Sequence, residues 1–181
     1  MWKKILLAFL VAVAIVLGLI VVQPATYTVT RSTTIAAPPQ TVFAAINDFH
    51  KWESWSPWAK IDPAMKQTYS GPPSGTGAAY HWSGNDKAGE GTMTISESVP
   101  NDRVVIQLSF IRPYASSSVI LLGVRPEGTG TAVTWTMTGQ NNFALKAISL
   151  FSSMDKLVGR DFEKGLAQLK TLTESSASAA Q

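Results

Sequence analysis

No cysteine occurs among the 181 residues. Its absence excludes disulfide cross-links, thiolate nucleophiles, zinc sites built on cysteine and acylation at a cysteine. A disulfide-free chain is compatible with either side of a membrane. Histidine is nearly as scarce: His50 and His81 are the two present, on separate predicted elements with no spaced third ligand, so no metal centre is expected. His81 should face solvent, opposite Tyr80 and Trp82 on its strand, and His50 should cap the C-terminus of a helix. There is no Gly-x-Ser-x-Gly elbow and no arguable triad, so no catalytic residue is assigned. The run Gly71-Pro72-Pro73-Ser74-Gly75-Thr76-Gly77 looks like a phosphate loop, but its prolines remove the N–H donors such a loop uses, and it reads as a turn. A strong charge of one sign is missing too. The formal net charge of +3 owes much to Lys3 and Lys4, without which 13 basic residues face 12 acidic ones. No basic face for nucleic acid is visible, and no cofactor is implied.

What is present begins with the N-terminus. From Ile5 to Val22 run 18 residues without a charged or strongly polar side chain and without proline. As a helix they would span roughly 27 Å, close to the hydrocarbon thickness of a bilayer. Trp2 stands where an interfacial aromatic would, and Pro24 marks the exit. Residues 1–24 are therefore expected to form an uncleaved membrane anchor. The rival is a cleaved signal peptide, but Gln23-Pro24-Ala25-Thr26-Tyr27 is a poor cleavage site. Lys3, Lys4 and the α-amine precede the helix, and the first charge after it is Arg31. The positive-inside bias then makes the N-terminus cytoplasmic and the domain extracytoplasmic, periplasmic in a Gram-negative cell.

Residues 25–174 have the length of one domain. Tyr27 to Ile35 is rich in β-branched residues and reads as a strand, stopped by Pro38 and Pro39. Thr41 to Phe49 carries a helical stripe of Val42, Phe43, Ile46 and Phe49. The cluster Trp52, Trp55 and Trp58 follows as a packed corner. Strands are then predicted at 65–70, 78–83, 92–99, 104–111, 116–125 and 131–138, separated by turns of hairpin length, which makes the sheet antiparallel. Phe143 to about Thr173 contains no proline and reads as one amphipathic helix, with Leu145, Ile148, Phe151, Ser152, Val158, Phe162, Leu166 and Leu169 on its stripe. Residues 175–181, Ser175-Ser176-Ala177-Ser178-Ala179-Ala180-Gln181, form a low-complexity tail expected to be disordered.

Four stretches carry a family resemblance: Thr41-Val42-Phe43 through Asp48 into Trp52-Glu53-Ser54-Trp55-Ser56-Pro57-Trp58; Tyr80 to Asn85 with Gly89 to Ile95; Glu97 with Pro100 and Arg103; and Asp155 to Leu166. In this order, over Tyr27 to Glu174, the chain resembles the SRPBCC or START-like helix-grip superfamily, in its polyketide cyclase/dehydrase-like branch. The resemblance implies an α+β helix-grip fold, a curved antiparallel sheet wrapped around a long C-terminal helix, here preceded by one transmembrane helix. It also implies a cavity between sheet and helix. Lipid carriers, cyclases and chaperone cofactors share this fold, so function has to be argued from the site.

The inward strand faces supply the expected lining: Tyr69, Tyr80, Trp82, Met93, Ile95, Ile106, Leu108, Phe110, Trp135 and Met137, with Phe151 from the helix and Glu97 as the odd carboxylate on the face of Met93, Ile95 and Val99. A buried carboxylate is costly unless paired. Glu97 is either an acid or base of raised pKa or, the preferred reading, a strand-end ion-pair partner of Arg103 or Arg112. The leading expectation is a membrane-anchored binder of a small hydrophobic molecule of lipid, quinone or isoprenoid class. The alternatives are a cyclase/dehydrase-type enzyme using the same pocket and a chaperone-cofactor-like interaction module.

Overall fold

The computed structural model describes residues 1–179, without the side chain of Ala179. Its apolar N-terminal run forms helix α1, Trp2–Val21, in which the one buried residue is Ile20. A helix that buries so little is not a core helix of the domain. Among the described residues α1 is the one helix long and apolar enough to cross a membrane.

Seven strands follow: β1 Thr26–Ile35, β2 Lys66–Ser70, β3 Ala79–Ser83, β4 Glu90–Val99, β5 Arg103–Arg112, β6 Ser116–Glu127 and β7 Gly130–Gln140. They form one antiparallel sheet in the order β1-β7-β6-β5-β4-β3-β2. The chain alternates ends with each strand. The start of β1 therefore shares one end of the sheet with the β3–β4 loop, the β5–β6 turn and the exit of β7. The end of β1, the β2–β3 and β4–β5 turns and the β6–β7 hairpin lie at the other end.

Helix α2, Pro39–Ile46, begins on a proline whose missing N–H costs nothing at a helix start, and buries Val42, Phe43, Ala45 and Ile46. It stops earlier than the predicted Phe49. Asp48 takes extended backbone angles and its carboxylate accepts from the His50 N–H at 2.9 Å, starting a 3-10 helix over Phe49–Ser54. His50 thus stands at the beginning of a helical turn, not at a helix C-terminus. Its ring contacts Asp48 at 3.0 Å and stacks on Tyr69 at 4.0 Å.

The predicted helix from Phe143 to Thr173 is two helices, α3 Phe143–Ser149 and α4 Met154–Ala179. Asn142 caps α3 by accepting from the Leu145 N–H at 2.9 Å. Ser153 caps α4, its Oγ accepting from the Lys156 N–H at 3.3 Å. Serine favours this role because its short side chain competes with the helical backbone for hydrogen bonds. The break turns Phe151 out of the interior, leaving it 90% exposed. At the other end α4 takes in Ser175 to Ala179, where disorder is predicted; the last two residues of that tail lie outside the described residues.

α4 lies across the concave face. Phe162, Leu166 and Leu169 are buried against the sheet. Arg31 of β1 reaches up to it, its Nη1 donating to Asp155 Oδ1 at 2.7 Å and its Nε to Glu163 Oε1 at 2.7 Å. Gly159 makes room for this guanidinium, since a Cβ there would lie 2.2 Å from Arg31 Nη2. Further along α4, Glu174 Oε1 accepts from the Ala36 N–H at 2.7 Å and Lys170 Nζ donates to Thr34 O at 2.8 Å.

Candidate functional site

Between the concave sheet face and the first turns of α4 lies a cavity of about 360 Å³, partly open to solvent. That is within the range of small-molecule sites. Eight of the residues predicted from strand alternation line it: Tyr69, Tyr80, Trp82, Met93, Leu108, Phe110, Trp135 and Met137. The aromatic rings form a continuous wall. Tyr69 and Tyr80 are 5.3 Å apart, Tyr80 stacks on Trp82 at 5.8 Å, and Trp82 meets Phe110 edge-on at 5.5 Å. Trp82 lies flat over β4 because position 91 is glycine; a Cβ on Gly91 would be 2.5 Å from the indole Cη2. Its Nε1 donates to Ala88 O at 3.0 Å, which fixes the ring.

Four predicted residues do not line the cavity. Ile95 and Ile106 are cross-strand partners and fully buried, but in the packed part of the interior. Phe151 has left with the helix break. Glu97 is displaced by a β-bulge: Ile95 pairs with Ile106, yet Glu97 pairs with Val105, so Ser96 is the extra residue. One inserted residue exchanges the two faces of everything beyond it. Glu97 is thereby carried to the outer face, where its carboxylate, 46% exposed, accepts from Arg103 Nη2 at 2.6 Å. Arg103 also pairs with Asp102. Of the two readings of Glu97, the ion pair with Arg103 is the one realised, and Glu97 is no acid or base for chemistry in the cavity. Ser98 takes the inner face instead and donates to Asn47 Oδ1 at 2.7 Å.

The cavity also takes residues that alternation did not nominate: Tyr27, Phe49, Trp52, Trp58, Tyr114, Leu145, Met154, Val158 and Phe162. Trp55 is fully buried and its Nε1 donates to Ala45 O at 3.2 Å; Trp52 donates to Ile46 O at 3.0 Å. The tryptophan cluster is thus the packed corner expected of it, while Trp52 and Trp58 also present surface to the cavity. Trp135 stacks on Phe162 at 4.4 Å and is met edge-on by Trp55 and Trp58. Its buried Nε1 has no hydrogen-bond partner. Val158 and Phe162 were visible on the helical stripe, but no local pattern announces which end of that stripe faces a void.

The polar groups are few. Burial pushes the Tyr80 phenol up to about 12, helped by neighbouring Tyr69 and Glu53. Burial raises Tyr69 as well, with Glu53 and Asp48 adding to it. Both stay neutral O–H groups through the physiological range, and Tyr69 donates to Gln67 Oε1 at 3.0 Å. Ser56, Gln67 and Ser116 complete the polar part of the wall, with Glu53 and Lys87 at its exposed edge. His81 lies on the outer face as expected, 3.4 Å from Glu90, which is held below the usual carboxylate range chiefly by Arg112 at 2.8 Å. No group of three or more metal-ligating side chains occurs among the described residues.

The sequence profile of the polyketide cyclase / dehydrase and lipid transport family matches residues 26–174. No curated protein sequence matches the chain. Among solved structures, the protein Mll3558 from Rhizobium loti is 22% identical, with a TM-score of 0.59 over 81% of this chain and 96% of that one. The Aha1 dimer from Colwellia psychrerythraea is 16% identical, with a TM-score of 0.58 over 82% and 96%. The KanY protein is 19% identical, with a TM-score of 0.61 over 83% and 99%. At these identities the likeness is one of fold, and it bears out the helix-grip architecture.

Proposed function

The chain belongs to the polyketide cyclase / dehydrase and lipid transport family, and from that premise we propose that it binds a small hydrophobic molecule while anchored to a membrane by α1. The observation that carries this reading is the void itself. The cavity measures about 360 Å³ beside a contiguous core of buried side chains, and its wall is almost wholly aromatic and aliphatic. A partly open apolar cavity leaves nonpolar wall in contact with water, and covering that wall with a ligand is favourable, so a cavity of this size points to an occupant. The stacked rings of Tyr80 and Trp82 suit a flat or extended apolar body. The neutral hydroxyls of Tyr69 and Tyr80 suit a single polar end, as a lipid, quinone or isoprenoid carries.

The anchoring part rests on the length and apolar character of α1 and on its isolation from the core. Lys3 and Lys4, set before α1, support an N-terminus in the cytoplasm and a domain on the far side. Residues 1–24 then act as anchor and 25–174 as ligand-binding domain. No step of catalysis is assigned, because the one carboxylate considered for it lies outside.

Purification of the full chain from membranes in mild detergent, followed by organic extraction and mass spectrometry, should release an apolar molecule in near-stoichiometric amount. Met93→Trp, which fills the cavity, should reduce the yield at least about tenfold, on the view that one large side chain occupies the ligand's volume. Equal yields from the two proteins would sink the reading. Intact mass on the same sample decides whether Met1 is retained; a mature chain starting after Val22 would replace the anchor by a signal peptide.

A further inference from the structure

The sheet's topology decides which loops can meet the cavity. The end where α1 joins β1 carries the 55–65 segment that leads into β2, the β3–β4 loop, the β5–β6 turn and the β7–α3 connection. These segments supply Ile61, Lys87, Pro113 and Tyr114 to the cavity wall, and the helices that follow at the same end add Leu145 of α3 and Met154 at the start of α4. The turns at the opposite end, 71–78, 100–102 and 127–130, contribute none. The cavity therefore opens toward the end from which the hydrophobic helix departs.

The contacts at that end are specific. Lys146 Nζ of α3 donates to Val21 O, on the last residue of α1, at 3.2 Å. Ser149 Oγ lies 3.4 Å from Gln23 Oε1. Asn141 Nδ2 donates to Pro24 O at 3.0 Å, and Asn142 Nδ2 donates to Ala115 O at 3.1 Å, joining the β5–β6 turn to the same cluster. The elements that make these contacts expose large apolar side chains: Phe143 at 59% and Ile148 on α3, Phe151 just after it, and Tyr114 at 56% in the β5–β6 turn. Tyr114 also lines the cavity. Large apolar side chains exposed together on neighbouring segments are what a binding face presents.

We infer that the rim formed by α3, the 150–153 segment and the β5–β6 turn rests on the bilayer surface, so that the cavity mouth faces the lipid and its ligand enters from the membrane. The occupant of the apolar rim is the bilayer and not a second chain. The rim is continuous with the end of α1, and α3 is bonded to the residue where that helix leaves the hydrocarbon. Exposed Phe and Tyr at that depth match side chains that partition to the headgroup boundary. This inference rests on the anchor reading above, which is open to separate failure.

The absence of cysteine makes the test direct, since a single introduced cysteine is a unique label site. The full chain is reconstituted in phosphatidylcholine nanodiscs, with an environment-sensitive fluorophore at Phe151→Cys, Tyr114→Cys, Ala12→Cys within α1, or Ser74→Cys at the opposite end. Bromines on the lipid acyl chains should quench Phe151→Cys and Tyr114→Cys roughly two-fold, quench Ala12→Cys more, and leave Ser74→Cys unchanged. Quenching at Ala12→Cys alone would overturn the inference, since the domain would then stand clear of the membrane while its anchor held. Emission at Phe151→Cys that shifts with protein density but not with brominated lipid would overturn it in favour of a second copy. Loss of quenching at Ala12→Cys as well would remove the anchor and this inference together.

Discussion

The two halves of the interior share one sheet and one covering helix, yet one is solid and the other hollow. In the half beneath α2 and the later turns of α4, Ile46, Val104, Ile106, Leu122, Val124, Val133 and Leu169 are buried almost without residual exposure. These are aliphatic, branched and of similar size, the kind of side chain that fills protein interiors closely. In the half beneath the first turns of α4, the wall is made of rings set side by side along the sheet, Tyr69 tilted against Tyr80 and Tyr80 stacked on Trp82. Rings set side by side form a surface, not a filling. The difference teaches that apolar alternation measures inwardness alone; whether the inside is full depends on what the opposite layer sends down.

The comparison can be broken most decisively by truncating one aliphatic residue in each half. Ile106→Ala should cost about 3 kcal/mol in urea unfolding, the usual range for a buried aliphatic in a closely packed core. Met93→Ala, at the cavity wall, should cost only about 1 kcal/mol, because its side chain already borders a void. Equal losses would show that the hollow half is filled or collapsed in solution. Gly91→Ala should come next, at about 2 kcal/mol, because its Cβ would meet both the Trp82 ring and the Ser109 carbonyl. A change in tryptophan emission should accompany that loss as Trp82 tips into the cavity; an unshifted spectrum would contradict the geometry.

The smallest effect concerns acid. Arg31 holds the Asp155 carboxyl below its ordinary range by hydrogen bonding and charge. A depressed folded pKa contributes stability above the unfolded value of about 3.9 and loses it as pH falls through the folded value. The wild-type melting midpoint should therefore fall slightly more between pH 5 and pH 3 than that of Asp155→Asn. The pair is solvent-exposed, so the difference should also shrink in high salt. Identical acid profiles would mean that this pair does not tie the cavity half of α4 to β1.

Much of the fold was legible in the sequence because strand periodicity, turn residues and the long apolar run are local properties. Eight residues on the inward faces line the cavity, although the cavity itself was implied by the family resemblance and not by alternation. The failures are equally physical. A single bulge residue, Ser96, reverses the faces beyond it, and nothing in Thr94-Ile95-Ser96-Glu97 marks the insertion before the register with β5 is known. The break at Leu150–Ser153 had a signal in Ser152-Ser153, a favourable helix start, but a continuous apolar stripe masked it. His50 was read as ending a helix when Asp48 had already begun the next turn.

By itself the sequence determined that a cysteine-free chain would carry one membrane-length apolar helix, an antiparallel sheet and a C-terminal amphipathic helix. Those follow from side-chain chemistry repeated at periods of two and of about 3.6 residues. Only the tertiary structure decided that Glu97 points outward to Arg103, that Phe151 leaves the interior, and that a cavity of about 360 Å³ lies between sheet and helix. Each depends on the register and separation of segments far apart in the chain, quantities that no local pattern encodes.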